Sequence, residues 1–151
     1  MSATISSINY CPVKSVSFQS IDKCEIQKNI GIVGDRVFAF AKGLDPDQAR
    51  LFEKSPEERK GKWNKVLTLK NSPALNKYNF VLNDEKLTLT LKNKEILTID
   101  INQLSDREAL SSKITELEDS LKHPIVLMNN RDYPFFDTSI SNKVDFINSV
   151  S

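Results

Sequence analysis

Two runs of alternating apolar and polar residues in the middle of the chain constrain its fold more than any other feature. Residues 87–91 alternate leucine with threonine, and residues 97–101 alternate leucine or isoleucine with polar side chains. A period of two places the apolar side chains on one face of a strand, so both runs are predicted to be half-buried antiparallel strands. The apolar stretch 78–82 and the polar residues 83–86 complete a predicted hairpin with the first run.

Other short apolar stretches predict further strands. They cover residues 5–10, 21–27, 37–41, 65–70, 125–128 and 144–147. The run 37–41 follows a turn marked by Gly31 and Gly34, and it is expected to be buried on both faces. The fold class predicted from these patterns is mainly β, of the α+β type, with antiparallel strands.

A polar segment over residues 43–63 interrupts the strands. Within it, Ser55, Pro56 and Glu58 fit a capping box with proline at the first helical position. This pattern predicts one short helix that ends at Gly61. An excursion of this length inside a compact domain is often functional.

One long amphipathic helix is predicted near the C-terminal end. Ser105 and Glu108 fit a capping box at its start, and Pro124 ends it. His123 falls in the last turn, where it suits the negative end of the helix dipole, and no nucleophile motif surrounds it. We therefore interpret this histidine as a helix-end residue and not as a catalytic one. The apolar stripe of the helix consists of Leu110, Ile114, Leu117 and Leu121.

Charge and composition exclude several classes of protein. The 21 basic and 20 acidic residues leave a net charge of +1 with the histidine neutral, which argues against a nucleic-acid partner. No apolar run approaches the roughly 20 residues that cross a bilayer, and the start lacks a signal-peptide pattern. Cys11 and Cys24 form no C-x-x-C pair, and a single histidine excludes a His/Cys metal site. The expectation is a cytoplasmic protein with reduced thiols and no membrane partner.

Two short motifs carry the candidate binding chemistry. They are P-V-K-S at residues 12–15 and G-D-R at residues 34–36, and no catalytic motif accompanies them. Lysine offers three donors on a point charge, and arginine offers a planar fork that binds phosphate bidentately. Lys14, Ser15 and Arg36 together suit an oxyanion. The alternative is that both cations are solvated charges at strand ends.

These motifs, in this order, resemble the N-terminal region of MOSC proteins, a family named after the C-terminal domain of molybdenum cofactor sulfurase. The resemblance covers nearly the whole chain and implies a β-barrel-like N-terminal MOSC domain over residues 1–124. It also implies the beginning of a MOSC core domain over residues 125–151. The stretches that carry it are INYCPVKSVSFQSIDKCEI, GIVGDRVFAFA, GKWNKVLTLKNSPALNKYNF and FFDTSISNKVDFINSVS.

The resemblance implies a cofactor site as well. In relatives that bind molybdopterin, such as the amidoxime-reducing enzymes, the lysine, serine and arginine of the two motifs contact the molybdenum cofactor. These roles carry over to Lys14, Ser15 and Arg36. Pyridoxal phosphate binding is implied at the level of the family only. Further contacts fall within residues 137–142, and their register stays open between Thr138 with Ser139 and Ser141 with its neighbour.

The reactive cysteine of the family lies in the second half of the MOSC domain, beyond the last residue of this sequence. The chain stops directly after an apolar run, so we expect it to be the front part of a longer protein. A missing C-terminal MOSC half would supply that cysteine, and a redox partner protein is implied too. The complete protein would be a molybdenum-cofactor-dependent oxidoreductase or a sulfur carrier, whereas these residues alone are expected to be inactive.

Neither cysteine of the chain is expected to replace the missing one. Cys11 stands beside the P-V-K-S motif, where another residue is more usual, and Cys24 fits a small buried apolar position. An alternative reading from a different class remains open. The chain would then be a purely structural β-barrel module that supports a partner domain and binds no ligand of its own.

Overall fold

The computed structural model describes Ser2 and residues 4–136, and this part of the chain is mainly β with few helices. Two short turns of 3-10 helix lie at Trp63–Lys65 and Pro73–Lys77. The strands are β1 (Ile8–Tyr10), β2 (Gln19–Ile21), β3 (Ile26–Gln27), β4 (Gly31–Ile32), β5 (Phe38–Lys42), β6 (Tyr78–Asn83), β7 (Lys86–Leu91), β8 (Lys94–Asp100) and β9 (Ile125–Asn129). The α-helices are α1 (Pro46–Lys54), α2 (Pro56–Arg59) and α3 (Leu104–Leu117).

The predicted hairpin and the strand after it are confirmed. β6, β7 and β8 form one antiparallel sheet in which Phe80 lies opposite Leu89 and Leu87 lies opposite Ile99. Leu87 and Leu89 are completely buried, as the alternation predicts. The chain reverses between β6 and β7 at Asp84, whose φ of 50° is a left-handed conformation that aspartate tolerates.

β5 is buried on both faces, as predicted for residues 37–41. The side chains of Phe38 and Phe40 lie in the main core, together with buried residues of β6, β7, β8 and α3. Ala39 and Ala41 point the other way, into a smaller cluster that contains Phe52, Met128 and Phe135. β9 pairs with β5 in an antiparallel ladder, so the prediction of a strand over residues 125–128 is also confirmed.

No closed barrel forms within residues 4–136. The strands pair into four separate sheets, and single bridges join Val13 to Phe38 and Ala41 to Val66. The predicted strand over residues 65–70 is wrong for a local reason. The Asn71 side chain accepts a hydrogen bond from the Thr68 N–H and donates one to the Val66 carbonyl, so this segment folds into a turn.

The first predicted strands are shorter than expected. Residues 5–10 contribute only Ile8–Tyr10, and residues 21–27 contain the end of β2 and the short β3 with residues outside any strand between them. Both pairs, β1 with β2 and β3 with β4, are antiparallel. The antiparallel class is therefore right here, while the predicted lengths are wrong.

The polar segment after β5 contains two α-helices, where one was predicted. α1 is capped by Asp45, whose carboxylate accepts the Gln48 N–H at 2.8 Å while the Gln48 side chain accepts the Asp45 N–H at 3.3 Å. Sequence reasoning missed this capping box. α2 begins after Ser55 as predicted, but the predicted cap is wrong because the Ser55 side chain makes no capping bond. The Ser55 N–H instead closes α1 on the Leu51 carbonyl at 3.0 Å.

α3 confirms the predicted helix but not its ends. Its N-cap is Gln103, so the capping box predicted for Ser105 and Glu108 is wrong. Asp106 in the first turn accepts the N–H of Asp100 and ties the helix to the end of β8. Within the helix, Leu110, Ser111 and Ile114 are buried. The amphipathic character assigned to the whole stretch stays a prediction.

The C-terminal end of α3 lies before Leu121, which contradicts the prediction that Pro124 ends the helix. The cause is a contact from another element. Glu118, the C-cap residue, accepts a hydrogen bond from the Tyr78 hydroxyl at 2.6 Å and pairs with Lys77. His123 consequently lies outside the helix and is exposed, so its predicted place in the last turn is wrong.

None of the helices in residues 4–136 is long and apolar enough to span a bilayer. The predicted strand over residues 144–147 lies outside the described residues. The division of the chain into domains at residue 124 stays a prediction.

Candidate functional site

The P-V-K-S and G-D-R motifs lie side by side. The Arg36 N–H donates to the Cys11 carbonyl at 2.7 Å, and the Phe38 N–H donates to the Pro12 carbonyl at 2.9 Å. The Lys14 N–H returns a hydrogen bond of 2.8 Å to the Phe38 carbonyl. These backbone bonds hold residues 11–14 along the edge of β5, which brings together two motifs that are separated in sequence.

Two of the candidate residues have left-handed backbone conformations. Ser15 has a φ of 73° and Arg36 has a φ of 51°. This region is uncommon for residues other than glycine, and such conformations concentrate at functional sites. Arg36 is held there from both sides, because its N–H bonds to Cys11 and its carbonyl accepts the Phe135 N–H at 2.8 Å.

Lys14 and Ser15 are both turned toward the protein. Lys14 is only 7% exposed, and its ammonium lies 5.5 Å from the centre of the Trp63 ring, a cation–π distance. The Ser15 hydroxyl donates to the Leu67 carbonyl at 3.1 Å. Because that bond uses its proton, the Ser15 oxygen retains only its acceptor capacity in this conformation.

The Arg36 guanidinium lies within cation–π distance of two aromatic rings. Its central carbon is 5.7 Å from the Phe18 ring centre and 5.0 Å from that of Phe136. Its Nε lies 3.8 Å from a carboxylate oxygen of Asp35. The side chain is 25% exposed, so the fork is oriented by its neighbours while part of it reaches the surface.

Asp35, the middle residue of the G-D-R motif, contacts Cys11, the residue directly before the P-V-K-S motif. Asp35 is buried, and its carboxylate accepts the Cys11 N–H at 3.0 Å. Burial raises the pKa of the Cys11 thiol to about 11, and the negative charge of Asp35 adds to the rise. The charges of Arg36 and Lys14 act in the opposite direction on the same pKa. Both candidate cations are therefore close enough to Cys11 to influence one thiol.

Arg59 contacts the segment that lies next to Arg36, and the sequence analysis did not identify this residue. It is 4% exposed, and its central carbon lies 4.1 Å from the Phe135 ring centre. Burial lowers the pKa of its guanidinium to about 10. The carbonyls that accept its hydrogen bonds are those of Phe52 at 2.9 Å, Glu53 at 3.0 Å, Tyr133 at 2.8 Å and Pro134 at 3.3 Å.

The consequence of the Arg59 contacts is a fixed path for residues 133–136. Phe135 donates its N–H to the Arg36 carbonyl, and the next residue, Phe136, provides one of the two rings beside Arg36. Arg59 is thus a positioning residue for the Arg36 guanidinium. The only sequence signal for it was the unusual length of the polar segment that carries it.

The structure describes Lys14, Ser15 and Arg36 but not the remaining predicted contacts. Thr138, Ser139 and Ser141 lie outside the described residues. Within residues 4–136, no group of three or more His, Cys, Asp or Glu side chains is placed to hold a metal ion.

Comparison with known proteins adds one finding to this geometry. A family model described as the MOSC N-terminal beta barrel domain matches residues 2–123. A search of curated proteins gave no match, and a search of solved structures gave none.

Proposed function

Because the chain belongs to the family of MOSC N-terminal beta barrel domains, we propose that Lys14 and Arg36 hold the anionic end of the molybdenum cofactor, molybdopterin. The observation that carries this proposal is the backbone pairing of residues 11–14 with residues 36–38. This pairing makes neighbours of the two motifs that the resemblance assigns to the cofactor.

The donor set fits a phosphorylated pterin. A largely buried ammonium and a partly buried guanidinium form charge-assisted hydrogen bonds to phosphate, and these bonds are stronger where water is excluded. Ser15 fits in a lesser role, because its hydroxyl already donates to Leu67. The neighbouring carboxylate is that of Asp35. One of its oxygens lies 3.8 Å from the Arg36 Nε, and the other accepts the Cys11 N–H.

The left-handed conformations at Ser15 and Arg36 support a binding role. A conformation of this kind costs free energy, and it persists where the surrounding structure fixes it, as the Cys11 and Phe135 bonds do for Arg36. The proposed benefit is that the guanidinium is oriented before a ligand arrives. When bound, the cofactor supplies redox chemistry at molybdenum, whereas these residues bind and orient its anionic end.

The proposal includes two partners that the resemblance implies. One is a C-terminal MOSC half that carries the reactive cysteine, and the other is a redox partner protein. Cys11 is unsuited to the role of that cysteine because it is buried and the pKa of its thiol is raised. The complete protein would be an oxidoreductase or a sulfur carrier.

A structural module without a ligand is the second candidate function. One observation favours it: both cations already make aromatic contacts, Lys14 with Trp63 and Arg36 with Phe18 and Phe136. In that reading the cations serve only to pack the motifs together. The pterin content of the purified chain separates the two functions.

The test is the pterin content of the chain purified from a host that makes the molybdenum cofactor. Oxidised pterin is measured by its fluorescence, and molybdenum by elemental analysis. We expect pterin in the unaltered chain, and at least about tenfold less in Arg36→Ala and in Arg36→Lys, because lysine lacks the planar fork. Arg131→Ala removes an equivalent charge from an exposed ion pair with Glu85 and should retain the pterin.

Two results would count against the cofactor proposal. The first is the same pterin content in Arg36→Ala and in the unaltered chain. The second is an unaltered chain that carries no pterin, which would favour the structural module.

A further inference from the structure

Three adjoining depressions of the surface meet at His123, and none is lined by Lys14, Ser15 or Arg36. Their volumes are about 600, 420 and 310 Å³, and His123 lines all three. We call them together the His123 groove. Depressions of this size are in the range of small-molecule binding sites.

The His123 groove is lined by cations. Lys42 lines two of the depressions, Lys122 lines two, and Lys65 lines one. No aspartate or glutamate is among the residues that line it in the described part of the chain, although acidic residues number 20 in the sequence. Other lysines form ion pairs with carboxylates. Within residues 4–136, Lys42, Lys65 and Lys122 form none.

Separate elements bring these side chains to one place. Lys42 is the last residue of β5 and lies opposite Ile125 at the start of β9. Lys65 ends the 3-10 helix Trp63–Lys65, which the bridge from Ala41 to Val66 ties to the same end of β5. Lys122 and His123 follow in the connection between α3 and β9. The groove therefore lies at the paired ends of two buried strands and not on a loop tip.

We propose that the His123 groove binds a small anion that carries two phosphate groups. Concave surfaces lined by one sign of charge focus the electrostatic field and raise the local concentration of the opposite charge. Lysine ammoniums bind phosphate as point charges, and Asn64 and Ser112 add neutral donors to the lining. The cations are spread over adjoining depressions, which suits two linked phosphates better than one.

A protein partner is less suited to this surface. Protein interfaces are enriched in tyrosine, tryptophan and phenylalanine and depleted in lysine, whereas the residues lining the groove in the described part include lysines and none of these three types. An acidic peptide is accordingly an outcome of the test and not the proposal.

The experiment uses His123 as a probe, since it is the single histidine of the sequence. The imidazole signals of the 151-residue chain are followed by NMR during titration with inorganic pyrophosphate at fixed pH and ionic strength. We expect a saturable shift, with tighter binding of pyrophosphate than of orthophosphate or sulfate. No saturable shift, or equal affinities for the three anions, would overturn the proposal.

Matched variants locate the binding. Lys42→Gln and Lys65→Gln should each weaken pyrophosphate binding about fivefold, the equivalent of the roughly 1 kcal/mol that a unit charge pair gains at 4 Å in water. Lys28→Gln removes the same charge from an exposed position that does not line the groove, and it should bind as the unaltered chain does. Equal weakening in all three variants would overturn the proposal.

Two further titrations complete the test. Arg36→Ala should keep full pyrophosphate binding, because this groove is independent of the proposed cofactor site, and a loss there would overturn the assignment to the groove. A glutamate-rich peptide that shifts the His123 signals when pyrophosphate does not would overturn it in favour of an acidic protein partner.

Discussion

Cys11, the residue directly before the P-V-K-S motif, is suited to packing in the core. Its side chain is 2% exposed, and burial is the largest cause of the rise in its thiol pKa to about 11. A thiolate is the reactive form of cysteine, so this environment keeps the residue inert near neutral pH.

The raised pKa of Cys11 predicts a loss of stability in alkaline solution. The thiol has a pKa near 9.0 when unfolded and about 11 when folded, so the folded chain holds its proton longer. The stabilisation is complete below pH 9 and is lost as the pH rises toward 11. Chemical denaturation should show the free energy of unfolding falling over this interval, by the order of 2 kcal/mol more than in Cys11→Ala. Parallel pH profiles for both proteins would contradict this.

Arg59 is expected to be the charged residue whose loss costs most stability. Arg59→Ala removes one hydrogen bond from each of four carbonyls, of which that of Glu53 keeps a bond from the Asn130 side chain, and Arg59→Lys cannot reproduce the planar arrangement of donors. We expect each to lower the free energy of unfolding by about 3 kcal/mol in chemical denaturation. Arg131→Ala is the control, and its exposed ion pair should contribute less than about 1 kcal/mol. Equal effects of the Arg59 and Arg131 variants would refute the role of Arg59.

Among the elements, the strands with a regular apolar alternation were the most predictable from the sequence. The alternation over residues 87–91 and 97–101 identifies β7 and β8 because each strand pairs with its immediate neighbour in the chain. Two predictions failed for different reasons, the first because of a contact between distant residues and the second because of a local one. α3 ends early because Glu118 meets Tyr78, and residues 65–70 form a turn because Asn71 takes the backbone groups that a ladder would use.

The packing of α3 predicts different effects for two leucines on the helix. Leu110 is completely buried against the core, whereas Leu117 is only partly buried. Leu110→Ala should therefore cost about 2–5 kcal/mol of unfolding free energy, and Leu117→Ala clearly less. Thermal or chemical denaturation of the two variants checks this order. A larger loss in Leu117→Ala would mean that the helix packs through a different face.

At the scale of the whole molecule, β5 connects the parts of the site. Arg36 lies two residues before its start, residues 11–14 lie along its edge, and its two faces fill two separate clusters of the core. The sequence indicated both motifs, and the resemblance indicated their shared role. Their adjacency depends on how residues 11–14 pair with β5, and the support from Arg59 depends on carbonyls at Tyr133 and Pro134, more than 70 residues away in the chain.

The most direct test of the shared site uses Trp63, the single tryptophan of the sequence, whose ring lies 5.5 Å from the Lys14 ammonium. A ligand that engages Lys14 should change the Trp63 fluorescence, so the affinity for molybdopterin can be measured by titration. Lys14→Gln and Arg36→Gln should each weaken binding at least about tenfold, while Lys28→Gln should bind like the unaltered chain. Full affinity in either Lys14→Gln or Arg36→Gln would contradict a single site built from both motifs.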